Sequence, residues 1–308
     1  MSQMKKRLST LLLVLVMGIL AACGTSEESG GTTDEGASGG SSSDSSSLLD
    51  EIKEKGTVTI GFANEAPYAY QDPQTGELKG AAVEIATKVF NNMGVENVEG
   101  QIAEWNQLIP GVKAGKFDVI TAGMAILPER AEQVDFGEPE IQYGEGLIVE
   151  KGNPLDLHSY TDIANNPDVT VAVMSGATEV EFLKEMGVSE DQILEVADIP
   201  ATFSAVQSGR AQATTGTEMT VKMALESSDQ EALEFVEDFE QPDIKGVPSY
   251  GAAAFAQDSD ELREAYNAEL KKLKENGEIL DLITPSSFGE GNLVPNDLTT
   301  EQVIESLK

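Results

Sequence analysis

The sequence predicts an α/β protein of two lobes, with the chain crossing between them twice. Three observations lead there: strand and helix signals alternate through residues 48–150, the alternation resumes at 169 and runs to 226, and an extended stretch at 245–255 returns ahead of a long helix. A folded part of about 260 residues is large enough for one big domain or two lobes.

The chain opens with Lys5, Lys6 and Arg7 ahead of an apolar stretch over 11–22, which ends in Ile19-Leu20-Ala21-Ala22-Cys23-Gly24. About 12 apolar residues fall short of the roughly 20 that a membrane-spanning helix needs, so 1–22 reads as a removable signal. Cys23, the sole cysteine, sits where a bacterial lipoprotein signal carries the residue that is lipidated and becomes the mature N-terminus. The expectation is an exported protein held at the cell membrane, on its extracytoplasmic face, by a lipid on Cys23. From 24 to 47 the chain is almost entirely Gly, Ser, Thr, Asp and Glu, too poor in apolar surface to offset the entropy of ordering it. Residues 23–47 therefore read as lipidated cysteine plus flexible tether, reaching about 25 to 30 Å.

Apolar periodicity then gives a helix at 48–55, a strand at 58–62, an amphipathic helix at 81–93, a strand at 98–104, a helix at 105–114, a short strand at 119–121, a helix at 128–132 and an extended run at 146–150. The second series gives strands at 169–173, 193–196 and 211–215 interleaved with helices at 178–186, 202–208 and 217–226. Residues 245–255 read as extended, 261–276 as helix, and the chain closes on a tail at 298–308. The lobes are accordingly expected at 48–148 with 249–308, and at 149–248. The crossings are expected near 149–152 and 245–250.

Composition excludes several classes. Once Cys23 carries lipid no thiol remains for a disulfide, a nucleophile or a metal, and the lone His158 cannot form a histidine cluster, so neither metal nor cofactor is expected. A formal charge of −34, from 54 acidic and 20 basic side chains, repels nucleic acid. No His, Cys or paired-carboxylate pattern stands out for acid–base work, which argues against an enzyme.

The strings that carry chemistry begin directly after the first strand, with Gly61-Phe62-Ala63-Asn64-Glu65-Ala66-Pro67-Tyr68-Ala69-Tyr70. A polar, aromatic turn at the carboxyl end of an α/β strand is where ligands bind. There follow Leu78-Lys79-Gly80 leading into Val83-Glu84-Ile85-Ala86, then Trp105-Asn106-Gln107-Leu108-Ile109-Pro110-Gly111-Val112, Gly115-Lys116-Phe117-Asp118-Val119-Ile120, and Ala122-Gly123-Met124-Ala125-Ile126-Leu127-Pro128-Glu129-Arg130-Ala131. Five such strings in this order, over roughly residues 50–290, resemble the family 3 solute-binding proteins of ABC importers, the amino-acid-binding class. The resemblance implies a periplasmic-binding-protein-like fold in which two α/β lobes, joined by two hinge segments, close on a small ligand for an ABC permease.

Within the family, Tyr250-Gly251-Ala252-Ala253-Ala254-Phe255, Asn267-Ala268-Glu269-Leu270 and Phe288-Gly289-Glu290-Gly291-Asn292-Leu293 add to a likeness with members that bind ectoine and hydroxyectoine. Such a zwitterion carries a carboxylate and a delocalised cation, and asks for a guanidinium fork, aromatic faces and an acidic partner. The resemblance matches Arg130 to the fork, Glu65 to the acid that meets the ring nitrogens, and Tyr68 and Trp105 to the aromatic walls. The plainer roles are an ion pair of Arg130 with Glu129 or Glu132, a solvated Glu65, and core packing for the aromatics. Gly123 and Ala125 lie in the same matched string. In the second lobe Gly176 and Thr178, within Met174-Ser175-Gly176-Ala177-Thr178, form a helix start that can seat a carboxylate or simply be capped by Thr178.

Two departures bear on specificity. Amino-acid binders of the family carry an aspartate for the α-ammonium shortly after Gly-Arg-x-Asp-Ala, whereas here Gly209-Arg210-Ala211-Gln212-Ala213 leads to Thr217 at that place. The third cage aromatic of the ectoine binders corresponds to Ala125, a loss of about 0.5 to 2 kcal/mol of cation–π attraction unless Tyr143 or Phe203 fills in. The sequence thus points to a monomeric, lipid-anchored receptor for ectoine or hydroxyectoine, with a polar amino acid or another compatible solute as the alternative.

Overall fold

A computed structural model describes residues 47–228 and 230–308; the leader, Cys23 and all of the tether except Ser47 lie outside the described residues. The first run comprises α1 (Leu48–Lys55), β1 (Thr57–Phe62), β2 (Tyr70–Gln71), β3 (Leu78–Lys79), α2 (Ala81–Asn92), β4 (Asn97–Ile102), a 3₁₀ turn at Trp105–Gln107, α3 (Leu108–Lys113), β5 (Val119–Ala125), α4 (Pro128–Ala131), β6 (Asp135–Phe136) and β7 (Ile141–Tyr143). The second comprises β8 (Glu145–Glu150), α5 (Tyr160–Asn165), β9 (Val171–Met174), α6 (Glu179–Glu185), β10 (Ile193–Val196), α7 (Ile199–Gln207), β11 (Ala213–Thr217), α8 (Glu218–Glu226) and β12 (Leu233–Phe235). The chain then returns through β13 (Ser249–Phe255), α9 (Asp260–Glu275), α10 (Glu278–Ile283) and α11 (Thr300–Leu307).

Two sheets of matching design result. One runs β4-β1-β5-β13-β6, with β7 also on β13, and the other β10-β9-β11-β8-β12. In the first, β1 is parallel to β4 and β5, while β13 is antiparallel to β5. In the second, β9 is parallel to β10 and β11, while β8 is antiparallel to β11. The strand that runs against its neighbours is, in each sheet, the one that has just arrived from the other lobe. The remaining central strands follow from βαβ crossovers, which make neighbours parallel.

Burial explains why the central strands are legible. Every residue of β5 is buried, as expected of a strand covered on both faces. In the second sheet Leu147, Val149, Val171 and Val173 feed one apolar cluster, and Ile148, Ala172 and Met174 the cluster on the opposite face, the period-two alternation of a strand. Burying such a side chain contributes about 1.5 to 3 kcal/mol. On α2 the buried positions Ala82, Ile85, Ala86, Val89 and Phe90 recur at helical spacing. Helix α1 is capped at its start by Ser47, whose side chain accepts from the Asp50 N–H, and ended by Gly56 at φ 64°.

Several elements differ from the sequence expectation. The helix expected at 105–114 is broken into a 3₁₀ turn and α3, the strand expected at 119–121 continues to Ala125, and the strand expected at 211–215 runs over Ala213–Thr217, so Thr217 both ends that strand and stands as the N-cap of α8. The first passage between sheets lies at Gly144, between β7 and β8, and not at 149–152. An apolar extended run carries no mark of which sheet it will pair with; β8 takes its partners β11 and β12 from the second. The second passage lies between β12 and β13 and overlaps the expected 245–250.

Candidate functional site

The parallel strands of both sheets end facing one cleft, as expected of α/β folds. After β1 the chain makes a tight loop in which Glu65 and Ala69 form a bridge, the Tyr68 N–H donating to the Glu65 carbonyl at 3.0 Å. Tyr68 is then pinned from several sides. Its carbonyl accepts from the Ala82 N–H at 3.0 Å, and its ring meets those of Tyr143 and Phe288 edge to face at 5.2 and 5.0 Å. Gly123 permits this: a Cβ there would lie 2.5 Å from the Tyr68 ring.

Arg130 sits on α4, which Pro128 opens, and is 7% exposed. Its Nη1 donates to the Ala125 carbonyl at 3.2 Å and its Nη2 to the Gly176 carbonyl at 3.0 Å. The guanidinium lies 5.6 Å from the centre of the Trp105 ring, whose Nε1 donates to the same Gly176 carbonyl at 3.0 Å. Among the described residues no carboxylate comes within ion-pair distance of Arg130, so the plainer role, an ion pair with Glu129 or Glu132, does not occur. Burial lowers the Arg130 pKa, partly opposed by Tyr143, Glu129 and Glu179. A guanidinium has five N–H groups, and two carbonyls leave donors over for a ligand.

Opposite stand the acids. Glu65 Oε1 accepts from the Thr220 hydroxyl at 2.6 Å, and Thr217 donates to Thr220 at 2.9 Å, a relay from the second sheet into the first-lobe loop. Burial above all, with a contribution from Glu179, raises the Glu65 pKa to about 7, although the Thr220 bond pulls it down. Thr178 does not cap α6; its hydroxyl donates to Glu179 Oε2 at 3.3 Å. Glu179 is 3% exposed and Glu145, at the start of β8, is fully buried.

Glu65, Tyr68, Trp105, Gly123, Ala125, Arg130, Thr178 and Thr217 all line one cavity. Gly176 lines the adjoining groove and reaches the site through its carbonyl. Beside Ala125 the wall is Tyr143, whose hydroxyl donates to the Gly123 carbonyl at 2.7 Å; Phe203 faces a different groove. Sequence reasoning missed Glu179, Glu145 and Thr220, since in a chain with 54 acidic side chains nothing marks which are buried. The cavity therefore joins a buried cation, three aromatic walls and buried carboxyls, the complement of a small molecule bearing both a carboxylate and N–H donors. Among the described residues no group of three His, Cys, Asp or Glu side chains is placed to hold a metal.

Comparison with known proteins gives a consistent answer. Residues 58–285 match the family model of bacterial extracellular solute-binding proteins, family 3. A probable amino-acid ABC transporter periplasmic-binding protein of Sinorhizobium fredii is 37% identical over 239 residues, 76% of this chain and 78% of that protein. The ABC transporter glutamine-binding protein GlnH of Bacillus subtilis is 28% identical over 237 residues, 74% of this chain and 80% of the relative. The crystal structure of EhuB in complex with hydroxyectoine superposes with a TM-score of 0.72 at 34% identity, covering 79% of this chain and 92% of that one.

Proposed function

Because this chain belongs to the bacterial extracellular solute-binding proteins of family 3, we propose that it captures ectoine or hydroxyectoine outside the cytoplasm and delivers it to an ABC permease. The family consists of binding proteins for transport, and the chain is not an enzyme. The observation that carries the ligand assignment is the buried Arg130, free of any carboxylate partner among the described residues, in one cavity with the half-buried Glu65. The guanidinium fork takes the ligand carboxylate, Glu65 takes the ring N–H groups, and Tyr68, Trp105 and Tyr143 cover the delocalised cation. The likeness to the hydroxyectoine complex of EhuB supports this assignment. Thr217 supports it too, because a primary ammonium would lack a carboxylate at that place.

A second reading is a receptor for a polar amino acid. Its support is the presence of half-buried Glu65 and buried Glu145 and Glu179 against the single Arg130, an arrangement that also suits a ligand with a second cationic group. Calorimetry decides between them. Ectoine and hydroxyectoine should saturate the protein, and glycine betaine, whose cation has no N–H to offer Glu65, should bind at least about tenfold more weakly, a gap of about 1.4 kcal/mol. Scattering during the same titration should read a smaller radius of gyration as the lobes close about the two passages. Saturation by glutamine or arginine with no heat from ectoine would overturn the ligand assignment and leave the binding-protein class standing.

The lipid anchor is a further part of the proposal. Cys23 supplies the only thiol, so Cys23→Ser should release the protein from the membrane fraction into the medium. Equal membrane retention of the variant and the parent protein would remove the anchor from the model.

A further inference from the structure

Glu145 has no role in binding ectoine as proposed, yet its surroundings are demanding. Both carboxyl oxygens are buried, and no donor among the described residues reaches either one. Its backbone is fully engaged: the N–H donates to Gln241 Oε1 at 2.8 Å and the carbonyl accepts from Gln241 Nε2 at 2.7 Å. The side-chain group its carboxyl meets is the carboxyl of Glu179. Two carboxylates that meet at a site this buried cannot both stay ionised.

The other charged groups nearby do not relieve the contact. Glu65, across the cleft, adds negative charge. Arg130 is bound to the Ala125 and Gly176 carbonyls. On the elements packed against β8, Lys222 of α8 pairs with Glu218 at 2.6 Å, and Glu234 of β12 pairs with Lys151 at 3.4 Å. The hydroxyls of Tyr68, Tyr143 and Tyr160 stand near Glu145 and remain neutral, their pKa values all raised by burial.

We propose that Glu145 is a positioning residue that carries a proton and donates it in a hydrogen bond to the Glu179 carboxylate, holding that carboxylate at the wall of the ligand cavity. Glu179 lines the cavity while Glu145 stands behind it, so the proton on Glu145 sets where the Glu179 negative charge is presented to ligand N–H groups. Both residues belong to elements of the second lobe, Glu145 to β8 and Glu179 to α6. Burial and the neighbouring Glu179 push the Glu145 pKa well up from the carboxylate range, in the same direction as the geometry.

The ligand arm of the test rests on the ectoine reading; the stability arm does not. A carboxyl whose pKa is raised on folding stabilises the protein fully below the unfolded pKa, and that contribution is lost as pH climbs through the folded one. Wild type should therefore lose melting temperature as pH rises above about 5 toward the raised Glu145 pKa. Glu145→Gln, which keeps a donor for Glu179 but cannot ionise, should lose measurably less, by about 2 to 4 °C. The same variant should bind ectoine within about threefold of wild type, whereas Glu145→Ala, with no donor, should bind about tenfold or more weakly. An unchanged pH slope in Glu145→Gln, or wild-type affinity in Glu145→Ala, overturns the proposal. If no form of the protein binds ectoine, the ligand reading falls, and the melting comparison without ligand still decides whether the proton is held.

Discussion

Arg130→Ala is expected to weaken ectoine binding by about 2 to 5 kcal/mol, a loss of roughly 30-fold to several thousandfold in affinity. The size follows from what the guanidinium faces. It is 7% exposed and bound only to the Ala125 and Gly176 carbonyls, so the ligand carboxylate supplies its missing counter-charge. With alanine there, that carboxylate enters a closed cavity in which Glu65 and Glu179 are the charged neighbours, and repulsion replaces attraction. Arg130→Lys should fall between the two, because an ammonium keeps the charge but cannot span both carbonyls and still offer a fork. Trp105→Ala should cost less, about 1 to 3 kcal/mol, through lost stacking and burial. Calorimetry on the variants reads these losses directly, and a decrease of less than about threefold for Arg130→Ala would mean that the ligand carboxylate is held elsewhere.

The parts of this molecule that were legible in the sequence share a physical cause. A strand such as β9 is fully buried and appears as an unbroken apolar run, and helices such as α2 pack one face and appear at helical spacing. Elements of two or three residues, such as β2, β3, β6, β7 and β12, are too short to show any period and exist through tertiary pairing. Arg130, Glu65, Tyr68 and Trp105 could be singled out because each stands in a recognisable string after a strand. Glu145 and Glu179 could not. Their burial depends on where β8 and α6 are set in the second sheet, and β8 was expected to lie before the crossing, in the first lobe. Tyr143 was legible as one of two aromatics that could stand in at Ala125; it ends β7 one residue before the passage and supplies an aromatic wall there.

Gly123→Ala is the second substitution with a large expected effect, and it tests how the cleft is built rather than what the cleft binds. Gly123 lies within β5 at φ 62°, a conformation that costs an alanine about 1 to 2 kcal/mol. A Cβ there would also stand 2.5 Å from Cδ1 and 3.2 Å from Cε1 of Tyr68, atoms of a rigid ring already held by Tyr143 and Phe288. The backbone cannot retreat freely either, since the Gly123 carbonyl accepts from the Tyr143 hydroxyl at 2.7 Å and leaves no room for a Cβ on Gly251. Overpacking of this kind costs about 1 to 3 kcal/mol, which with the backbone strain gives about 2 to 5 kcal/mol. For a protein of this size that is a fall in melting temperature of roughly 4 to 20 °C. Gly115→Ala is the matched control, with φ 64° but nothing within 4 Å of the added carbon, so it carries the backbone strain alone. Any excess destabilisation of Gly123→Ala over Gly115→Ala measures the Tyr68 contact, and a displaced Tyr68 ring should weaken ectoine binding in step. Equal melting temperatures for the two variants would show that the Tyr68 ring yields to the added methyl at no cost.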